Sequence, residues 1–245
     1  MDFSKQKFRC SSLGGLLSNM PGKKDTKNVN ELSETAKGVL LEIYIEAKYK
    51  REKEVFSKYL EKGLMVEEDS LTLISRHDKK VYIKNERRYE NDILSGEPDV
   101  VDNKEVLEVL DVKSSWDIFT FFKSKFSKTD KGYHAQGQGY LDLVGGDVFK
   151  LCYCLIDTPE ILIGDEKRKL AYKMGLMSEN ENNPVYEKAC ELIDRNMRYD
   201  DIPLKERVHK IIIPKDNELI DSVYSRAPIW REFLDSIDKP ELVTI

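Results

Sequence analysis

Long apolar runs, cysteine and histidine are all scarce in this chain of 245 residues. No apolar run is long enough for a transmembrane helix, which needs about 20 residues. The first residues, MDFSKQKFRCSS, lack the apolar middle of a secretory signal. The chain has only four cysteines, Cys10, Cys152, Cys154 and Cys190, and their spacing is irregular. We therefore expect a cytoplasmic protein with reduced, mostly buried thiols and no membrane partner.

Several catalytic patterns are also missing. The three histidines, His77, His134 and His209, are scattered and lack the spacing of a zinc site. The chain contains no glycine-rich loop of the Walker type and no Ser–His–Asp order. ATP hydrolysis and acyl transfer are therefore poorly supported.

The charge is mildly acidic overall but unevenly distributed. A formal net charge of −5 argues against a protein that coats nucleic acid through bulk charge. Residues 1–30 nevertheless carry six Lys or Arg against two Asp, and residues 113–131 carry five Lys against two Asp. Such tracts usually form solvated faces. They are also compatible with a bound polyanion, especially if a divalent metal neutralises an acidic centre.

The hydrophobic pattern predicts an α/β protein. Apolar residues make up 40% of the chain, ample for a core, and no repeat or clear linker interrupts it. We expect one domain over residues 1–245, with a core over about 9–160 and a C-terminal addition over about 160–245. We expect a first helix that begins at Asn30 or Ser33 and ends at about 50, and a second over about 53–76. Further helices are expected over SWDIFTFFKSKF, YHAQGQGYLDLVGG, two stretches after Thr158, and DNELIDSVYSRAPIWREFLDSI. The expected strands are KKVYIKN, EPDVV, EVLEVLDVK, DVFKLCYCLID and RVHKIIIP.

The stretch SGEPDVVDNKEVLEVLDVKSSW, residues 95–116, places charges on an apolar strand. Side chains alternate across a strand, so Asp111 and Lys113 share one face while Leu110 and Val112 share the other. A hairpin through Asp102-Asn103-Lys104 would bring Asp99 to the same end of the sheet. An ordinary surface ion pair explains Asp-Val-Lys alone, but a second converging carboxylate favours a functional site.

Two converging carboxylates make an oxygen-rich site suited to Mg²⁺ or Mn²⁺. A nearby lysine can position or help deprotonate a water, or stabilise charge that develops on a phosphate. Metal-assisted hydrolysis of a phosphodiester requires these groups.

Asp99 followed by Asp111-Val112-Lys113 resembles the signature of the PD-(D/E)XK nuclease superfamily. The neighbouring motifs resemble one branch of it, the phage lambda exonuclease or YqaJ-like viral recombinase family. Gly63 and Glu67 match its Gly-x-x-x-Glu helix, YHAQGQGYLDL matches its glutamine-bearing helix, and FRCSSLGGLL matches its short serine motif. The resemblance spans roughly residues 9–160. It implies a central mixed β-sheet flanked by helices, a restriction-endonuclease-like core, with a helical C-terminal extension.

The resemblance also implies roles for individual residues. Asp99 and Asp111 would bind Mg²⁺, for which Mn²⁺ can substitute, and the main-chain carbonyl of Val112 would be a further ligand. Lys113 would be the catalytic lysine. Glu67 would reach the metal directly or through water, with Glu68 as the competing choice if the helix register differs.

The glutamine helix leaves two registers open. Gln136 pairs with Tyr140 at i, i+4 on one helical face, whereas in the other register Gln138 carries the role. Either amide could orient water or a phosphate, and both could equally lie on a solvated face.

Ser12 matches the serine expected to bind a terminal 5′-phosphate. The arginine that usually precedes this serine is absent from the matching place, and Arg9 lies closer to Ser12. Some related nucleases bind an iron–sulfur cluster through four cysteines, but the Cys-x-Cys spacing of Cys152 and Cys154 does not suit one. Buried thiols are the favoured interpretation.

The resemblance predicts a metal-dependent 5′-to-3′ exonuclease on linear double-stranded DNA, serving phage-type recombination. Its partners would be DNA, a single-strand annealing protein and copies of itself in a ring-like trimer, in the cytoplasm of a bacterial host if phage-encoded. One alternative is a RecB-like or restriction-type nuclease of other polarity or endonucleolytic action. The second is a non-catalytic DNA-binding protein with the same fold.

Overall fold

A four-stranded mixed sheet forms the centre of the computed structural model, which describes residues 1–18, 31–54, 56–103, 107–176 and 183–238. Its four strands are β4 Val100–Asp102, β5 Glu108–Ser114, β6 Val148–Cys154 and β7 Val208–Pro214. They lie in the order β4-β5-β6-β7. β4 and β5 pair antiparallel, β5 and β6 pair parallel, and β6 and β7 pair antiparallel.

Helices cover both faces of this sheet. A parallel pair needs a crossover connection, and two helices between β5 and β6 provide it. The helices are α1 Leu13–Leu16, α2 Glu34–Tyr49, α3 Lys58–Met65, α4 Glu67–Asp78, α5 Ile118–Phe126, α6 Lys131–Val144, α7 Glu160–Lys173, α8 Pro184–Met197 and α9 Asn217–Ser236. The predicted fold class, a mixed sheet flanked by helices, is confirmed.

The alternation of β5 and β6 divides the core into two parts. Val109, Phe149 and Leu151 face a large cluster that includes residues of α2, α6 and α9. Leu110 and Cys152 face a second cluster that includes residues of α4. The strand pattern of the sequence therefore sets which helices cover which face.

The C-terminal part of the chain contributes to both the sheet and the core. β7 pairs with β6 along seven residues, and α9 places Trp230 and Leu234 in the large cluster. These contacts support the prediction of one domain over residues 1–245, which stays a prediction. No helix within the described ranges is long and apolar enough to cross a membrane.

Three sequence predictions differ from the structure. The helix expected over 53–76 is two helices, α3 and α4, because Val66 between them has non-helical dihedrals, φ −111° and ψ 18°. KKVYIKN belongs to neither sheet and begins at Lys79, the left-handed residue that ends α4, although exposed Val81 and buried Tyr82 alternate as in a strand. A small sheet was not predicted, because its strands, β1 Phe8–Arg9, β2 Tyr89–Glu90 and β3 Leu94–Gly96, have only two or three residues.

The other helices and strands agree with the prediction to within a few residues. Ser33 caps α2 by accepting a hydrogen bond from Ala36 N, whereas the alternative cap, Asn30, lies outside the described residues. β4 and β5 form the expected hairpin. Part of its turn, including Lys104, also lies outside them.

Lys62 is a fully buried lysine on α3. Its Nζ donates a hydrogen bond to the carbonyl oxygen of Trp116 at 2.9 Å. Burial lowers the pKa of this ammonium to about 8, although Asp117 and Asp157 act to raise it. The charged form is therefore a cost to the folded state at neutral pH.

We expect wild type to gain stability relative to Lys62→Met as the pH rises from about 8 to about 10.4. In this window the folded protein has released a proton that the unfolded chain still binds, so the free energy of unfolding rises with pH by at most about 1.4 kcal/mol per unit. Below pH 8 the difference in the free energy of unfolding between wild type and Lys62→Met should be constant. Urea unfolding at several pH values measures it, with Lys173→Met on the exposed surface of α7 as the control. A constant difference from pH 7 to 10.4 would contradict the prediction.

Candidate active site

The hairpin brings Asp99 and Asp111 together at one end of the sheet. Asp99 lies one residue before β4, and its Oδ2 accepts a hydrogen bond from Val112 N at 2.6 Å. Asp111 lies in β5 and is 2% exposed. Because the N–H and C=O of one strand residue point to the same edge, the Val112 carbonyl also faces the edge where Asp99 lies.

Lys113 pairs with Asp111 on the α6 face of β5. Its Nζ lies 2.6 Å from Asp111 Oδ2 and 5.0 Å from the centre of the Tyr133 ring. Despite this ion pair, Asp111 Oδ2 is buried and accepts no hydrogen bond of normal geometry from a described residue. A metal ion bound here would share this oxygen with the Lys113 ammonium.

Burial and mutual repulsion act strongly on the two carboxylates. Burial and then the charge of Asp111 raise the pKa of Asp99 to about 7, against the lowering effect of the Val112 N–H. Burial raises the pKa of Asp111, and Lys113 opposes this shift. Burial acts to lower the pKa of Lys113, but the two carboxylates outweigh it and raise that pKa. The lysine is therefore held as a cation beside two carboxyl groups whose charges are costly to bury.

α6 brings Gln136 and Tyr140 to this centre. Gln136 Nε2 donates to Tyr140 Oη at 2.8 Å and lies 3.5 Å from Asp111 Oδ1. Tyr133, Gln136 and Tyr140 share one helical face at i, i+3 and i+7. Tyr133 was not identified from the sequence, although its helical spacing from Gln136 and Tyr140 could have indicated that it lies at the site.

Gln138 lies elsewhere, and its proposed catalytic role is not compatible with its contacts. It is fully buried, its Nε2 donates to the Pro214 carbonyl at 2.9 Å, and its Oε1 accepts from Asp216 N at 2.7 Å. The side chain joins α6 to the segment between β7 and α9. Of the two glutamine registers, the structure therefore favours the one with Gln136 and Tyr140.

Glu67 begins α4 near Asp99. Its charge contributes to the raised pKa of Asp99, but its Oε2 is paired with Lys84 Nζ at 3.0 Å. A carboxylate in the first turn of a helix is stabilised by the helix dipole. Lys84 was not identified in the sequence, because it lies in the stretch interpreted as a strand.

Within the described part of the chain, no three His, Cys, Asp or Glu side chains are close enough together to hold a metal ion by themselves. The carboxylate oxygens that converge are those of Asp99 and Asp111, because the Glu67 carboxylate is paired with Lys84. Magnesium usually binds through one or two carboxylates and completes its shell with waters and substrate phosphates. The two buried aspartates match that demand.

A cavity of about 590 Å³ is lined by Ser12, Arg9 and Ser95, among others, and by none of the residues of the Asp99–Asp111–Lys113 centre. Arg9 is exposed and pairs with Glu46 at 3.2 Å. The ring of Tyr140 packs against Gly96, the residue next to Ser95. Tyr140 and Gln136 thus connect the wall of the cavity with Asp111.

The cysteines lie on both sides of the sheet. Cys10 belongs to the cluster on the α6 side, while Cys152 and Cys154 belong to the cluster on the α4 side. Burial raises the pKa of the Cys10 and Cys152 thiols to about 12. This placement suits structural thiols and not a shared cluster.

Solved structures of two nucleases are similar to this chain. The structure of a phage related exonuclease from Haemophilus somnus 129PT matches it with 26% sequence identity and a TM-score of 0.72, over 95% of both chains. The alkaline exonuclease LHK-Exo from Laribacter hongkongensis matches with 10% identity and a TM-score of 0.61, over 95% of this chain and 90% of that one. LHK-Exo in complex with dAMP matches with 11% identity and a TM-score of 0.60, over the same shares.

No protein-family model and no curated protein sequence matches the chain. The LHK-Exo likenesses show the fold, and the phage related exonuclease adds a likeness in sequence over nearly the whole chain. The resemblance predicted from the motifs is confirmed: the chain has the fold of a phage related exonuclease and of an alkaline exonuclease, consistent with a YqaJ-like PD-(D/E)XK nuclease.

Proposed function

We propose that this chain is a Mg²⁺-dependent deoxyribonuclease that degrades one strand of linear duplex DNA from its 5′ end during phage-type recombination. The observation that carries the proposal is the meeting of Asp99, Asp111 and Lys113 at one end of the sheet, where burial raises the pKa of both carboxyl groups. The likeness to a phage related exonuclease supports the nuclease activity.

Asp99, Asp111 and the Val112 carbonyl would hold the ion, and Glu67 would contact it through water once released from Lys84. Mg²⁺ is the proposed ion, with Mn²⁺ as a substitute, because the donors are hard oxygens. When bound, such an ion polarises the phosphodiester and lowers the pKa of a water.

The surrounding residues position the substrate. Lys113 is a half-buried cation that can hold a phosphate oxygen and stabilise the negative charge that grows during hydrolysis. Gln136 can orient a water or a phosphate through its amide, and its hydrogen bond to Tyr140 fixes that amide. Gln138 has no part in this proposal.

The cavity lined by Ser12, Arg9 and Ser95 is the proposed 5′-phosphate site. Ser12 and Ser95 offer hydroxyl groups and Arg9 offers a guanidinium, once it exchanges Glu46 for the phosphate. Tyr140 packs against Gly96, next to the cavity-lining Ser95, and would contact DNA between this cavity and the metal ligands.

The partners follow from the same proposal. DNA is the expected substrate, and the dAMP bound to LHK-Exo supports a nucleotide-binding site in this fold. A single-strand annealing protein, a ring-like trimer and a cytoplasmic location in the host also remain part of the proposal.

One experiment separates this function from its alternatives. Radiolabelled linear duplexes with and without a 5′-phosphate are incubated with the protein and Mg²⁺ beside a closed circle of the same sequence. We expect 5′-phosphorylated linear DNA to be degraded and the circle to survive. Loss of the circle would favour a restriction-type or RecB-like endonuclease. Stability of every DNA form with Mg²⁺ or Mn²⁺ would favour a non-catalytic DNA-binding protein.

Ser12→Ala should reduce the preference for a 5′-phosphate roughly tenfold or more, the effect of losing one hydrogen bond to a charged group. The ratio of initial rates on phosphorylated and unphosphorylated ends measures it. Ser225→Ala, an exposed serine on α9, is the matched control. An unchanged ratio in Ser12→Ala would remove this serine from the proposed site.

A further inference from the structure

One face of α5 exposes three phenylalanines to solvent. Phe119, Phe122 and Phe126 are 68%, 44% and 85% exposed, and their spacing of i, i+3 and i+7 places them in one row. Single exposed apolar side chains are ordinary, but an aromatic row on one helical face marks an interaction surface. We call these three residues the α5 aromatic face.

The opposite side of α5 anchors the helix. Phe121 is fully buried and packs with Leu155 and Tyr199, together with Ile118. A capping box formed by Asp117 and Thr120 fixes the start of the helix. The aromatic face is therefore the outer side of a firmly packed helix.

Lysines lie among these phenylalanines. Lys123 shares the exposed side of the helix, and Lys125 Nζ lies 4.6 Å above the Phe122 ring. Residues 113–131, which contain α5, carry five Lys against two Asp. Aromatic rings alternating with cations are the features that bind single-stranded nucleic acid, because bases stack on the rings and phosphates pair with the cations. The positive charge of these lysines makes the surface complementary to a polyanion.

A row of side chains connects the catalytic lysine with this helix. Lys113, Tyr153 and His209 are register neighbours on β5, β6 and β7, so they cross the sheet on one face. The rings of Tyr153 and His209 are stacked at 17°, with centres 6.2 Å apart. Tyr153 also packs against the cluster that contains Phe121 of α5. The row therefore continues from the active site towards α5.

We propose that the α5 aromatic face binds an unpaired strand of nucleic acid, with bases stacked on Phe119, Phe122 and Phe126 and phosphates paired with Lys123 and Lys125. Seven residues of helix span about 10 Å, which accommodates roughly two or three nucleotides. The proposal rests on the proposed function in one respect, that the strand is one separated from the duplex at the active site.

The test measures whether the bases, and not only the phosphates, are bound. Fluorescence anisotropy in EDTA compares oligo-dT with an abasic oligonucleotide of the same length, using the full chain. We expect wild type to bind oligo-dT at least tenfold more tightly than the abasic strand. The triple variant Phe119→Ala/Phe122→Ala/Phe126→Ala should bind oligo-dT about tenfold or more weakly than wild type does. Its affinity for the abasic strand should change little. Phe126→Ala, at the most exposed position, should show part of the loss without any risk to folding.

The control is Phe56→Ala, which removes a phenylalanine that is 92% exposed and lies outside α5. Equal binding of the two strands by wild type, or wild-type affinity in the triple variant, would overturn the proposal. If the triple variant instead changes the molar mass in light scattering, the face belongs to an interface between copies of this chain, and the proposal is also wrong. Binding in EDTA does not depend on cleavage, so a protein that fails to cut DNA leaves this test intact.

Discussion

Lys113→Ala should lower the rate of Mg²⁺-dependent DNA cleavage by about 10²–10⁴-fold, the usual range for removing a group that transfers a proton or stabilises charge. The side chain is held beside Asp111 at 2.6 Å, over the ring of Tyr133, and its pKa is raised. Cleavage of 5′-phosphorylated linear duplex under single-turnover conditions measures the effect.

The control must separate loss of chemistry from loss of folding. Lys113→Gln keeps a polar side chain that is only slightly shorter, so it should be equally inactive while disturbing the packing less than Lys113→Ala. Lys150→Ala removes another strand lysine, which pairs with Glu108 on the opposite face of the sheet, and should retain activity. Thermal unfolding of all three variants checks that they are folded. Substantial cleavage by a folded Lys113→Gln protein would show that the active site lies elsewhere.

The acidic pair was predictable because it depends on local rules. The alternation of a strand puts Asp111 and Lys113 on one face, and a hairpin needs only neighbouring sequence to bring Asp99 alongside. Ser33 as the cap of α2 is likewise a local feature. These parts of the fold and of the site follow from residues that are close together in the sequence.

Features that depend on distant contacts were not predictable. KKVYIKN alternates like a strand, but the position of a neighbouring strand decides whether a ladder forms, and a single sequence does not contain that information. Gln136 and Gln138 are equivalent as sequence, and only the location of the Pro214 carbonyl and the Asp216 N–H assigns Gln138 to packing. The pairing of Glu67 with Lys84 depends in the same way on how α4 meets the segment that follows it.

The glycines of α6 link the fold to the site. A helix with Gly137 and Gly139 in its interior is intrinsically weak, yet α6 spans Lys131–Val144 without a break. A Cβ on Gly137 would overlap the ring of Phe149, which is fully buried on β6. The absence of that atom lets α6 lie close enough to the sheet for Gln136 to approach Asp111.

Gly137→Ala should therefore destabilise the protein by about 1–3 kcal/mol, the usual cost of overpacking a core. The sign is informative, because the same change in an unobstructed helix stabilises by about 0.5–1 kcal/mol. Gly38→Ala on α2 is the matched control, since its Cβ would meet no atom within 4 Å, and we expect it to raise the free energy of unfolding. Urea unfolding measures both. Activity should fall further in Gly137→Ala than its folded fraction explains, because a displaced α6 moves Gln136 away from Asp111. Stabilisation by Gly137→Ala would mean that α6 does not pack this closely on β6, and the placement of Gln136 beside Asp111 would fail with it.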